Sequence, residues 1–196
     1  LTHVFRQAAR SDIVRYAHHI HEGRMPPLND DSRESDFFFV EEQDAEAAAD
    51  KIGRLVCEAV PRRFGFDPVA DCQVLCPMRR GVLGANHLNE VLQERLNPDG
   101  ERVERFGVTF RVGDKVMQLE NDYDKDIFNG DLGRVRKIDR EFGDLTVSFE
   151  GREVVFAAHE LDELAPCYAT TIHKSQGSEY PCVVLPLHTQ HYVMLQ

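Results

Sequence analysis

The apolar positions of this 196-residue chain change period along its length. Ile13, Tyr16, Ala17 and Ile20 recur at helical spacing behind Ser11, a suitable N-cap, and Gly23 with Met25-Pro26-Pro27 ends the run. Phe37-Phe38-Phe39-Val40 is continuously apolar, the pattern of a strand buried on both faces. Ala45 to Val60 returns to helical spacing, with Ile52, Leu55, Val56 and Ala59 on its inner face. Glu41, Glu42 and Asp44 lie at its start, where the helix dipole favours acid, and Pro61 is expected to end it. Val74-Leu75-Cys76-Pro77 reads as a second buried strand. Val82 to Leu96 reads as a second helix, with Leu83, Leu88, Val91, Leu92 and Leu96 inward. Strand and helix alternating at these lengths predict right-handed βαβ units and a parallel sheet.

From Arg102 the pattern shortens. Segments 108–112, 115–119, 133–138, 145–149 and 152–156 are short, several alternate apolar with polar, and Gly-containing turns such as Asn129-Gly130 and Glu150-Gly151 separate them. Five short strands in so few residues predict a small β-barrel of the SH3 type. Pro166 closes it, and the apolar runs Cys167-Tyr168-Ala169 and Cys182 to Leu187 resume the buried sheet. The expected fold is therefore α/β, a parallel sheet flanked by helices with an inserted SH3-like barrel. The expected boundaries are 1–101 and 167–196 for the α/β part and 102–166 for the insert.

Composition narrows the class. No apolar run approaches the roughly 20 residues that span a bilayer, so no membrane association is expected. Leu1 to Arg10 holds two arginines and no apolar segment follows, unlike a signal peptide, and a cytoplasmic location is expected. Five cysteines, an odd number, read as buried free thiols in a reducing compartment. His18, His19 and His21 lie on the first helix without Cys or carboxylate at ligand spacing, and read as solvated rather than zinc-binding. A net charge of −11 argues against indiscriminate nucleic-acid binding. Any DNA contact must use local positive spots and be salt-sensitive. The chain opens on Leu1 without Met and is read as a piece of something longer.

Two polar stretches sit where α/β proteins place ligand sites, after buried strands. One is Thr170 to Tyr180, where Thr171 and Ser175 can donate hydrogen bonds, Lys174 supplies charge and Gly177 lets backbone N–H groups approach a phosphate. The other is Pro77-Met78-Arg79-Arg80-Gly81, whose Arg80 suits either a DNA phosphate or a surface acid.

These stretches also resemble a known family. Thr171-Ile172-His173-Lys174-Ser175-Gln176-Gly177-Ser178-Glu179, followed by an apolar strand, resembles motif V of superfamily 1 DNA helicases in the form carried by the RecD family, the exodeoxyribonuclease V alpha subunits and their stand-alone relatives. Leu1-Thr2 with Phe5-Arg6-Gln7 resembles motif IV. Pro77-Met78 through Gly81, then Leu88-Asn89 and Leu92-Gln93, match a further block, with Arg79 where relatives often carry an aromatic. Val112 to Gln118 and Asn121 to Gly133 resemble the SH3-like subdomain 2B. Four blocks in the family's order cover nearly the whole chain.

The resemblance implies a RecA-like domain 2A with a 2B insert, the C-terminal motor half of an ATP-dependent helicase that moves 5′ to 3′ on single-stranded DNA in recombination and repair. It implies ATP and Mg²⁺ as cofactors of the intact protein. No P-loop occurs in this chain, so the metal ligands would lie outside it and the isolated chain is expected to hydrolyse no ATP. Arg6 would be a catalytic arginine finger. Gln176, Gly177 and Glu179 would face the nucleotide. Thr171, His173, Lys174, Ser175, Arg80, Asn121 and Tyr123 would contact DNA, with Tyr123 either stacking on a base or closing the barrel end. The implied partners are single-stranded DNA, an N-terminal RecA-like half and, in the multi-subunit enzyme, other exodeoxyribonuclease V subunits. The alternatives are a non-catalytic SH3-like binding module on an α/β support and the motor half of a conjugative relaxase-helicase.

Overall fold

A computed structural model describes residues 11–28 and 35–194. Arg6 lies outside the described residues. The chain divides into two compact units, Leu1–Glu42 and Gln43–Gln196.

The first unit contains helix α1 (Asp12–His21), which starts where expected. Ser11 caps it by accepting from the Val14 amide at 3.3 Å. The Asp36 carboxylate accepts from the Ser11 hydroxyl at 2.6 Å and from the Asp12 amide at 2.8 Å, so the helix start is tied to a residue far along the chain. The expected strand at Phe37–Val40 does not form. Phe38, Phe39 and Val40 are 42%, 45% and 49% exposed, and among the described residues no strand pairs with them. Hydrophobicity predicts burial, but a strand also needs a ladder for its N–H and C=O groups. Phe37 packs edge-on against the buried Tyr16 ring with centroids 5.0 Å apart.

The second unit is built on β1 (Cys72–Cys76). It lies between β9 (Ala169–Thr171) and β10 (Cys182–Val184), parallel to both. Helix α2 (Ala45–Arg54) runs through a π-helical turn at Leu55–Ala59 into α3 (Val60–Phe64). Pro61 therefore does not end the helix as expected. The Val60 amide bonds back to the Leu55 carbonyl in the widened turn, and Pro61 falls in the first turn after it, where its missing donor interrupts little. Gly65, at φ 73°, ends the helix instead, its amide reaching the Pro61 carbonyl. Helix α4 (Ala85–Leu96) packs Leu88 and Leu92 against Ile52, Val56, Val74 and Cys76 in one apolar core.

The helix expected from Val82 begins three residues later because 81–84 fold over its N-terminus. The amides of Ala85 and Asn86 bond to the carbonyls of Met78 and Arg79. Gly84 makes this possible: a Cβ there would stand 2.5 Å from the Arg80 carbonyl carbon and oxygen, both backbone atoms. Gly84→Ala is expected to destabilise the protein by about 1–3 kcal/mol, read from the urea midpoint, because neither backbone segment can yield cheaply.

Between α4 and β9 the chain forms β2 (Arg102–Arg105) and β3 (Val108–Arg111), a two-stranded hairpin. A five-stranded antiparallel sheet follows, of β4 (Lys115–Gln118), β5 (Leu132–Ile138), β6 (Leu145–Phe149), β7 (Arg152–Phe156) and β8 (Leu164–Pro166), in the order β7-β6-β5-β4-β8. Phe110, Val116, Ile127, Val135, Leu145, Val147 and Phe156 fill its core. The pattern missed β2 and β8. The first is polar at three of its four positions, and the second ends in proline, which an edge strand tolerates.

One buried carboxylate joins this sheet to the parallel one. Asp114 is 0% exposed and accepts from the Arg111 amide (2.7 Å), Gln93 Nε2 (2.6 Å), Asn97 Nδ2 (2.7 Å) and the Tyr168 hydroxyl (2.9 Å). Those donors come from the end of β3, from α4 and the Asn97 that caps it, and from the segment entering β9. Burial and the neighbouring Asp114 charge push the Tyr168 hydroxyl pKa up, so it stays a donor. Beside it, Arg111 reaches the carbonyls of Asn97 and Pro98 and pairs with Glu94 at 2.6 Å, tying the end of α4 to the insert.

Candidate functional site

The strand register brings two of the polar stretches together. Cys76, the last residue of β1, pairs with Thr171, the last residue of β9. The Pro77–Gly81 turn and the Thr171–Glu179 loop therefore leave neighbouring strands at the same C-terminal edge of the parallel sheet, where α/β folds bind ligands.

The loop begins as one 3₁₀ turn, Ile172–Ser175, capped by the Thr171 hydroxyl oxygen, which accepts from the Lys174 amide at 3.4 Å. That leaves the hydroxyl proton of Thr171 to donate outward. His173, Lys174, Gln176 and Glu179 are exposed. Gly177 has φ 88°, a left-handed conformation that disfavours any other residue and turns the chain within the loop. Ser175 departs from expectation. It is 7% exposed and turned inward, so its hydroxyl does not reach the loop surface as a phosphate donor would.

The base of the loop is held by a residue whose role the pattern did not reveal. β9 is an edge strand, and the Asn89 side chain of α4 serves as its missing neighbour. Its Nδ2 donates to the Ala169 carbonyl and its Oδ1 accepts from the Ala169 amide, both at 2.8 Å. Four residues on, Gln93 binds Asp114 and the Thr109 carbonyl. The polar pair in Leu88-Asn89 and Leu92-Gln93 thus connects α4 to the loop strand and to the insert.

Arg79 and Arg80 are exposed on the adjacent turn, and among the described residues neither has an ion-pair partner. The surface acid of the second reading of Arg80 is not found among the described residues.

Asn121 and Tyr123 lie elsewhere, in the loop between β4 and β5. That loop leaves the far end of β4, roughly 10 Å along the strand from the junction at Asp114. It is braced by the Asp122–Ile127 bridge and by Lys125, which pairs with Glu160 at 2.8 Å. Asn121 Oδ1 accepts from the Asn129 amide at 2.9 Å. Tyr123 does not close the barrel. It is 76% exposed and edge-on to the exposed Phe128 ring, centroids 6.0 Å apart. Phe128 is a further exposed aromatic here that the sequence pattern did not single out.

Residues 88–149 match the family described as the ATP-dependent RecD-like DNA helicase SH3 domain, and residues 166–196 match the UvrD-like helicase C-terminal domain. The ATP-dependent RecD2 DNA helicase of Deinococcus radiodurans is 40% identical over 195 residues, 100% of this chain and 25% of that protein. Over its whole length the chain is similar to RecD-like helicases. The RecBCD enzyme subunit RecD of Mycolicibacterium smegmatis is 34% identical over 107 residues, 55% of this chain and 18% of that one. This RecD-like chain thus spans about a quarter of the Deinococcus protein's length. A crystal structure of Pif1 helicase from Candida albicans aligns over 98% of this chain and 51% of that one, with a TM-score of 0.53 and 17% identity, which speaks to fold alone. The fold is RecA-like, a parallel sheet flanked by helices with an SH3-like insert. No helix among the described residues is long and apolar enough to cross a membrane.

Proposed function

We propose that this RecD-like chain is the second RecA-like half, with its 2B insert at 102–166, of an ATP-dependent helicase that translocates on single-stranded DNA. The carrying observation is the shared sheet edge: an exposed cationic turn and an exposed polar loop leave in-register strand ends. In this reading Thr171, His173, Lys174 and Arg80 bind the DNA backbone. Ser175 supports the loop from beneath rather than touching DNA. Tyr123, with Phe128 beside it and Asn121 behind, offers a stacking surface for a base.

Gln176, Gly177 and Glu179 form one wall of a nucleotide site. An amide, a backbone open to close approach and a carboxylate fit a nucleotide's polar edge. Among the described residues no three ligating side chains gather, so we assign Mg²⁺ to a P-loop half supplied by the same protein. ATP hydrolysis there supplies the energy of each step. This chain's residues hold DNA, orient the nucleotide and, through Arg6, carry positive charge to the transferring phosphate. We extend the family's 5′ to 3′ direction, its role in recombination and repair in the cytoplasm, and its membership of exodeoxyribonuclease V assemblies to this protein.

ATP hydrolysis measured with and without single-stranded DNA tests this reading. The full-length protein should hydrolyse ATP faster with DNA, and the isolated 196-residue chain should not exceed a P-loop-dead control. Turnover by the isolated chain, or DNA binding by the full-length protein with no turnover, overturns the reading.

A further inference from the structure

The opposite end of β1 carries chemistry that DNA translocation does not use. Cys72 of β1 and Cys182 of β10 are direct register partners on parallel strands. Adjacent strands lie about 4.8 Å apart and opposed side chains share a face. That spacing falls within the roughly 4.4–6.8 Å between Cα atoms that a disulfide spans. Cys72 is buried and Cys182 is half-buried, so Cys182 is the more accessible of the pair.

A cation sits beside them. Lys115, itself only 6% exposed, donates from Nζ to the Cys72 carbonyl at 3.1 Å and lies 5.7 Å from the Tyr180 ring centroid. Burial lowers the Lys115 pKa, and what charge it carries acts on Cys72, the partner that attacks second, rather than on Cys182. The Cys72 thiol donates to Cys182 and brings the Cys182 pKa down to about 7 against the opposing effect of burial, while Cys72 itself is pushed up. The other thiols are inert by comparison. Burial pushes Cys76 up to about 12, Cys167 up to about 11, and Cys57 upward. Metal binding is a poorer use of the pair, since no third ligand joins it among the described residues.

We propose that Cys72 and Cys182 are a redox site that closes to a reversible intramolecular disulfide on exposure to hydroperoxide. The Cys182 thiolate attacks a peroxide oxygen; the S–O bond forms, the O–O bond breaks, and the departing hydroxide takes a proton to become water. The Cys72 sulfur then attacks the Cys182 sulfenic acid; the S–S bond forms, the S–O bond breaks, and a second water leaves with the Cys72 proton. Two thiols are oxidised and one hydrogen peroxide is reduced to two waters. The cross-link would fasten β10 to the central strand directly after the 172–181 segment, fixing one anchor of that loop. The proposal stands whether or not the chain belongs to a motor.

Peptide mapping after treating the native protein with stoichiometric hydrogen peroxide tests it. The expected product lacks the mass of two hydrogens, contains a peptide linked through Cys72 and Cys182, and returns to the dithiol with dithiothreitol. Its formation rate should rise with pH as the pair gives up its first proton, since hydrogen bonding from Cys72 lowers the Cys182 pKa. Cys182→Ser should abolish the linked peptide, and Cys57→Ser, at a thiol outside the pair, should leave it unchanged. Cys72 and Cys182 both remaining alkylatable while Cys57 oxidises or chains cross-link to one another would overturn the proposal. So would an equal rate of peroxide consumption in the Cys182→Ser protein.

Discussion

Asp114→Ala lowers the stability of the protein by about 3–5 kcal/mol, the range seen when a buried charge network loses its acceptor. The argument is local. Four donors converge on a carboxylate with no exposure, and three of them lie within 2.7 Å. Alanine leaves the Arg111 amide, Gln93, Asn97 and the Tyr168 hydroxyl facing one another in a space water enters only at a cost. Asp114→Asn should also destabilise, because its NH₂ must point at a donor. Tyr168→Phe removes one bond of the four and should cost about 1 kcal/mol. Urea unfolding reads all three as lower midpoints at unchanged slope. A loss below about 1 kcal/mol for Asp114→Ala would mean that the insert and the parallel sheet are held together by something else.

Arg6→Ala in the full-length protein lowers the rate constant for ATP hydrolysis by about 10³-fold or more, with the KM for ATP little changed. An arginine that meets the transferring phosphate acts on charge that develops in the transition state, so its loss appears in kcat. Arg6→Lys should not rescue the rate, since a point charge cannot reproduce the two-pronged geometry of a guanidinium. Steady-state kinetics at saturating single-stranded DNA decide it. A fall of less than tenfold, or one confined to KM, would place Arg6 away from the phosphate.

Much of this architecture was legible because hydrophobic period and turn chemistry agree over most of the chain. Leu88 and Leu92 announced the inner face of α4, and Val116, Val135 and Val147 announced the inner face of the barrel. Phe37–Val40 misled for the converse reason: four apolar residues say nothing about whether a neighbour exists to complete their ladder. Pro61 misled because a π turn precedes it and places the proline in the first turn after it, and such a turn leaves no periodic trace in the residues. At the candidate site, polarity and position picked out the Thr171–Glu179 loop. They could not show that Ser175 turns inward, because a 3₁₀ turn points successive side chains differently from a strand or an open loop. The roles of Asn89 and Asp114 could not be read because their partners lie 80 and 54 residues away, at Ala169 and Tyr168, and long-range pairing leaves no periodic trace.

The central claim is that the Thr171–Glu179 loop meets the DNA backbone at the sheet edge it shares with Arg80. Its most direct test is the affinity of the full-length protein for single-stranded DNA, titrated against salt, with Lys174 intact and with Lys174→Ala. The account predicts that Lys174→Ala weakens binding about tenfold at moderate salt and reduces the slope of log K against log salt by about 0.7, the share of one phosphate contact on a single strand. An unchanged slope with unchanged affinity would contradict it.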